Sequence, residues 1–154
     1  MTGGPDPYKV LTILEKAVSR QNFEEYRSVL ADSFVYVPDV ATAAMYPHID
    51  WAHWGIAEEE IFLRRLLKPV LKAELRLTDE INEQGMPIDK TARYVITYLL
   101  KIEGKAFISE GTFTFVESDQ RWYLWKWEET AQVTNPNGSG FFSNSGEVRA
   151  ATYR

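Results

Sequence analysis

The feature that most constrains this chain is a change of hydrophobic period near residue 71. Leu71, Ala73, Leu75 and Leu77 alternate with Lys72, Glu74, Arg76 and Thr78, the pattern of a half-buried strand. A second run, Arg93–Ile102, carries Tyr94, Ile96, Tyr98 and Leu100 on one face. Glu103-Gly104-Lys105 turns tightly into Phe107–Glu117, and Ser118-Asp119-Gln120 turns again into RWYLWKWEET, Arg121–Thr130. Turns this short cannot carry a crossover, so the last three strands form an antiparallel meander. The final strand holds three of the five tryptophans within six positions. Strict alternation puts Tyr123, Trp125 and Trp127 on one face, with Trp122 and Leu124 on the other. Both faces then need cover, from helices on one side and a partner subunit on the other.

The residues before this switch have helical spacing. Val10, Leu11, Leu14, Ala17 and Val18 make one buried stripe over Pro7–Arg20, with Asp6 as N-cap and Pro7 in the first turn. Asn22 starts a short second helix, with Glu25 three residues on as in a capping box. Phe34–Val37 is a short strand ended by Pro38. A loop, DVATAAMYPHIDWAHWG, leads to a third helix over Ala57–Leu67. Its first turn carries Glu58, Glu59 and Glu60, which suit the positive end of the helix dipole. Glu60 and Arg64 are an i,i+4 pair, and Ile61, Leu63, Leu66 and Leu67 are expected to face the core. Asp79–Thr91 is a long polar connection. The expected organisation is a flexible lead-in over 1–6, one domain over 7–134, and a tail over 135–154. The tail opens with Asn, Gly and Ser and ends in a short apolar stretch around Val148–Tyr153.

The totals restrict function more than they specify it. A length of 154 residues favours one domain. A net charge of −5, with basic residues scattered among acids, implies no nucleic-acid surface. The absence of cysteine removes disulfides, thiolate metal sites and a cysteine nucleophile. No apolar run approaches the roughly 20 residues of a membrane span, and MTGGPDPYKV is not a signal sequence. Read as it stands, the chain is expected in the cytoplasm; removal of an export segment ahead of it would place it outside. No cofactor is expected.

The element order resembles the nuclear transport factor 2-like superfamily. Nearly the whole chain is similar to its SnoaL-like branch, a cystatin-like α+β cone. The likeness rests on AVSRQNFEEYRSVLADSFVYV, on WG before IAEEEIFLRRLL, and on RWYLWKWEE. The chain is also similar to a group of small bacterial proteins, often exported lipoproteins without assigned function, that end near GEVRAATYR. These motifs are architectural. The resemblance implies three N-terminal helices packed on a strongly curved, mostly antiparallel sheet, with a central pocket in the mouth of the cone. It also implies a homodimer through the outer sheet face. The superfamily includes isomerases, dehydratases, epoxide hydrolases, cyclases and non-catalytic pocket proteins, so the fold does not select a chemistry.

Candidate site residues fall into three groups. His48, Asp50 and His53, in YPHIDWAHW, have the residue types for acid–base work near neutral pH; a solvated loop anchored by Trp51 and Trp54 is the simpler reading. Their H-x-D-x-x-H spacing matches no strong metal motif, and no metal site is expected. Tyr36, Tyr94 and Tyr98 could donate to an oxyanion inside the cone, or simply pack in strands. Trp51, Trp54, Trp125 and Trp127 could wall a ligand pocket, or only a core. Glu110, Glu128 and Glu129 are acids on strands, and acid–base chemistry here would want one carboxylate in an apolar setting with a raised pKa. No phosphate loop, nucleophile elbow or zinc signature is present. Three functions remain open: a binding domain for a small, partly apolar ligand; an acid–base isomerase, lyase or hydrolase; and a protein-interaction module.

Overall fold

The computed structural model describes residues 2–66, 73–77, 82–83, 91–102, 105–132, 145 and 149–150. Four α-helices precede the meander: α1 (Pro7–Ser19), α2 (Phe23–Arg27), α3 (Val40–Met45) and α4 (Ile56–Leu66). The strands are β1 (Leu30–Val37), β2 (Ala73–Leu77), β3 (Asn82–Glu83), β4 (Thr91–Ile102), β5 (Lys105–Ser118) and β6 (Arg121–Gln132). They form one curved, unclosed sheet in the order β1-β6-β5-β4-β2, with β3 also on β4. Only β1 runs parallel to its neighbour, β6; the other pairings are antiparallel.

Local chemistry explains most of the boundaries. Asp6 accepts a hydrogen bond from the Lys9 amide at 2.8 Å, and Asn22 accepts one from the Glu25 amide at 3.0 Å. Both satisfy helix-end donors that would otherwise lack a partner. The stretch expected as an unbroken loop contains α3, capped by Asp39, and a short 3₁₀ turn, Trp51–His53. The polar connection after residue 78 contains β3, which pairs with Tyr94 and Val95. Gly3 and Gly4, in the expected lead-in, lie against the start of β6: Gly4 and Trp122 exchange backbone hydrogen bonds of 3.0 and 2.8 Å. Gly3 has φ +71, and a Cβ there would sit 2.9 Å from the Trp122 carbonyl oxygen, so only glycine fits without strain. Asp119 and Gln120 both have positive φ, the geometry that matches a tight hairpin to strand twist.

The core lies between the concave face of the sheet and the helices. α1 buries Val10, Leu11, Leu14, Ala17 and Val18 as its spacing predicts. β4 buries Ala92, Tyr94, Ile96, Tyr98 and Leu100. Two expectations fail. On α4 the buried stripe is Glu59, Phe62 and Leu63, while Ile61 is exposed; Leu67 and the side chain of Leu66 lie outside the described residues. On β6 strict alternation breaks. Phe115 pairs with Leu124 and Thr114 with Lys126, so Trp125 is an extra residue, a β-bulge. The bulge shifts the phase by one and puts Leu124 and Trp127 on the same inner face, both buried. Leu124 therefore belongs to the core, and half-buried Trp122 packs against it. The expected Trp122–Leu124 contact patch does not exist.

Candidate functional site

The histidine loop is built as an anchored surface loop. Trp54 is fully buried, and Trp51 stacks on it with ring centroids 5.2 Å apart. Trp51 Nε1 donates to the Tyr46 carbonyl at 3.2 Å. His53 Nδ1 and Asp50 Oδ2 are 2.7 Å apart, but these side chains are 81% and 70% exposed. His48 is exposed and stands against the Tyr46 ring. The structure thus pairs Asp50 with His53 in solvent, where such a pair contributes little. Among the described residues no cluster has metal-ligand geometry.

The concentrated chemistry is inside the cone, in two linked carboxylate clusters. Glu129, buried on β6, accepts from Tyr98 Oη at 2.6 Å and Tyr36 Oη at 3.0 Å. Ser145 Oγ also donates to Glu129. Glu59, fully buried on α4, accepts from Trp54 Nε1 at 2.8 Å and Tyr26 Oη at 3.2 Å. Between them lies Arg149 from the tail, also fully buried. Its Nε and Nη2 grip Glu59 at 2.9 and 2.6 Å, and its Nη1 reaches Ser145 Oγ at 2.5 Å. The guanidinium carbon is 3.8 Å from the Tyr36 ring centre, 4.5 Å from Trp127 and 4.7 Å from Phe62. Beside this cluster remains a void of about 10 Å³, bordered by Tyr26, Phe62, Leu63, Trp127 and Ser145 among others. That is close to the smallest space that holds one water.

These environments set protonation. Burial pushes the Glu129 carboxyl above its ordinary range; hydrogen bonds from Ser145 and Tyr98, the charge of Arg149 and the Tyr36 hydroxyl only partly oppose it. Tyr36 and Tyr98 are raised well above 10.0, first by burial and then by the nearby Glu129 charge. Both remain neutral donors at pH 7. Burial works against the Arg149 cation, but the Glu59 carboxylate more than offsets it and keeps the guanidinium charged.

Glu129 makes the stability of the protein depend on pH. Its folded pKa is raised, so its contribution to stability is fully present below the unfolded value, about 4.3. That contribution is lost as pH rises through the folded value. Glu129→Gln fixes a neutral head of the same shape. The stability of wild type minus that of the variant should fall by about 1.4 kcal/mol per unit of pKa elevation and then level off. Urea unfolding of both proteins between about pH 4 and about pH 8 measures this; a flat difference contradicts a raised Glu129.

Of the other sequence candidates, Tyr36, Tyr98, Trp54 and Trp127 join the inner clusters. Tyr94 is buried against Tyr8 and Phe115, with centroids 6.0 and 5.9 Å apart, about 13 Å along β4 from Tyr98. Trp125 sits half-buried at the bulge. Sequence reasoning passed over Glu59 and Arg149. Glu59 hides in an acidic first turn, although it shares a helical face with Phe62 and Leu63. A larger depression of about 800 Å³, lined by Arg27, Asp32 and Tyr123 among others, lies outside this cluster. Its Asp32 side chain is 98% exposed, so its charges are solvated and it carries no comparable chemistry.

No family model and no curated protein sequence matches the chain. Solved structures do. A Mycobacterium tuberculosis protein of unknown function matches over 95% of this chain and 82% of its own, at TM-score 0.63 and 8% identity. A Kribbella flavida protein matches over 92% and 93%, at TM-score 0.63 and 9% identity. A nuclear transport factor 2-like protein of unknown function from Shewanella oneidensis matches over 80% and 95%, at TM-score 0.52 and 17% identity. Identities this low speak to architecture alone. With its helices on the concave face of a curved, unclosed sheet, the chain has the nuclear transport factor 2-like fold.

Proposed function

We propose that this protein is a small-molecule binding domain whose site is the interior of the cone, between Glu59 on α4 and Glu129 on β6. One observation carries the reading: three ionisable groups, Glu59, Glu129 and Arg149, are buried where apolar side chains would fill the space at lower cost. A buried ion pair is seldom more stabilising than a hydrophobic replacement, so stability alone does not account for it. Aromatic walls with a few convergent polar groups are the usual make-up of a ligand site. A ligand must displace Arg149 to occupy this space. Mass spectrometry of the protein purified under native conditions tests the reading. A retained small molecule, lost in Glu129→Gln, is the expected result. An empty protein whose melting temperature no compound in a broad set raises would refute it.

The acid–base reading moves from the exposed histidines to Glu129. A carboxyl with a raised pKa facing two tyrosine hydroxyls can exchange a proton and stabilise a developing oxyanion. If the protein is an enzyme, Glu129→Gln should lower turnover by about 10²–10⁴-fold, whereas His53→Ala should leave it unchanged.

The outer sheet face supports a homodimer. Leu99 and Ile108 pair directly across β4 and β5, with Val95 further along. They alternate with the core residues and are half-buried in one subunit. Paired burial of such a face is the usual basis of a two-fold interface. Leu99→Asp should convert a dimer to a monomer in sedimentation velocity; a wild-type chain that sediments as a monomer removes the proposal.

A further inference from the structure

Arg149 indicates what kind of molecule the cone takes. Its guanidinium meets one carboxylate edge-on through two donors, Nε and Nη2, and one hydroxyl through a third, Nη1. The rings of Tyr36, Trp127 and Phe62 stand within 4.7 Å of its carbon. A fork-shaped carboxylate contact combined with π faces is the recognition chemistry of a planar organic cation. The walls of this cage come from the body of the fold: Glu59 on α4, Tyr36 on β1, Trp127 and Glu129 on β6. The occupant comes from the tail, beyond VTNPNGSGFFSN, a stretch rich in Asn, Gly and Ser.

We infer that the cone is a site for a small organic cation of the alkylguanidinium class, and that Arg149 fills it as a built-in substitute. This inference rests on the reading of the cone as a ligand site and adds its charge and shape. When Arg149 leaves, Glu59 keeps only the neutral donors Trp54 and Tyr26, and Glu129 keeps Tyr36 and Tyr98. The vacated space then faces two carboxylates and no cation from this cluster. An anionic ligand is disfavoured there, and a neutral one leaves Glu59 without a counter-charge. An ammonium ion lacks the fork that fits Glu59 in plane. Because Arg149 belongs to the same chain, it competes intramolecularly with any free cation. A natural ligand must outbind that, which makes the tail a threshold against weak cations.

The test is rescue of the full-length Arg149→Ala variant. N-ethylguanidinium chloride, ethylammonium chloride and N-ethylurea are titrated at matched ionic strength, with tryptophan fluorescence and melting temperature as readouts. Ethylguanidinium should raise the melting temperature saturably and bind about tenfold or more tighter than either control. Wild type should need about tenfold or more ligand for the same signal, and Glu59→Gln on the Arg149→Ala background should abolish binding. Arg149→Gln, which keeps a hydrogen-bonding head near Glu59, carries the same titration should the alanine variant not fold. An equal effect of ethylurea overturns the cation assignment, an equal effect of ethylammonium overturns the guanidinium assignment, and binding that survives Glu59→Gln overturns both. If no cation binds but native purification yields a neutral or anionic ligand, the cation assignment falls and the binding reading stands. If neither is found, both fall.

Discussion

Arg149→Ala should lower the free energy of unfolding by about 3–5 kcal/mol. The size follows from what is left behind. Glu59 and Arg149 are both fully excluded from water. Removing the guanidinium strands a buried carboxylate, and the cost of an unpaired buried charge exceeds the net contribution of the pair. The cation also lies against Tyr36, Phe62 and Trp127, so packing is lost as well. The double variant Glu59→Gln/Arg149→Met should be more stable than Arg149→Ala alone. It removes both charges, keeps an oxygen to accept from Trp54, and refills the aromatic slot. Urea unfolding of the three proteins decides the matter. A cost below about 1 kcal/mol for Arg149→Ala would mean that the tail does not occupy the cone.

Periodicity made the sheet legible, and it failed where a single residue broke the period. The β4 alternation held because its pairing with β5 runs without interruption from Thr91 to Ile102. On β6 the extra residue at Trp125 carries no local signature, so the faces on either side of it could not be related by counting. Helix caps were readable at Asp6 and Asn22 because capping is decided within three residues. The inner site was legible only in pieces. Tyr36, Tyr98 and Trp127 stood out as strand aromatics, and Glu129 as one of three strand acids. The pairing of Glu59 with Arg149 joins residues 90 positions apart. One acid among three in a helical first turn looks the same whether it faces water or a distant arginine. His48, Asp50 and His53 drew attention by residue type, but their surroundings are solvent, and type without burial gives no perturbed chemistry.

The bulge on β6 has a measurable consequence that simple alternation would not give. Trp127→Ala should destabilise the protein by about 3–5 kcal/mol, whereas Trp125→Ala, two residues away, should cost about 1 kcal/mol or less. Trp127 is 3% exposed and forms the hub of the inner aromatic cluster. Its ring centre lies 4.6 Å from Phe113, 5.3 Å from Tyr98 and 6.1 Å from Tyr36. Truncation leaves a cavity among rings that the sheet and Arg149 hold in place, so little of it can collapse. Gly111 makes room for the indole: a Cβ there would come within 3.1 Å of Trp127 Nε1. That nitrogen is buried without a hydrogen-bond partner among the described residues. Trp127→Phe should therefore recover most of the loss, because it restores ring area and removes a desolvated donor. Trp125, half-buried at the bulge, is not part of the core cluster among the described residues. Unfolding free energies for the three variants separate the two registers. Equal costs for Trp125→Ala and Trp127→Ala would mean that both rings share one face and that the phase shift is absent.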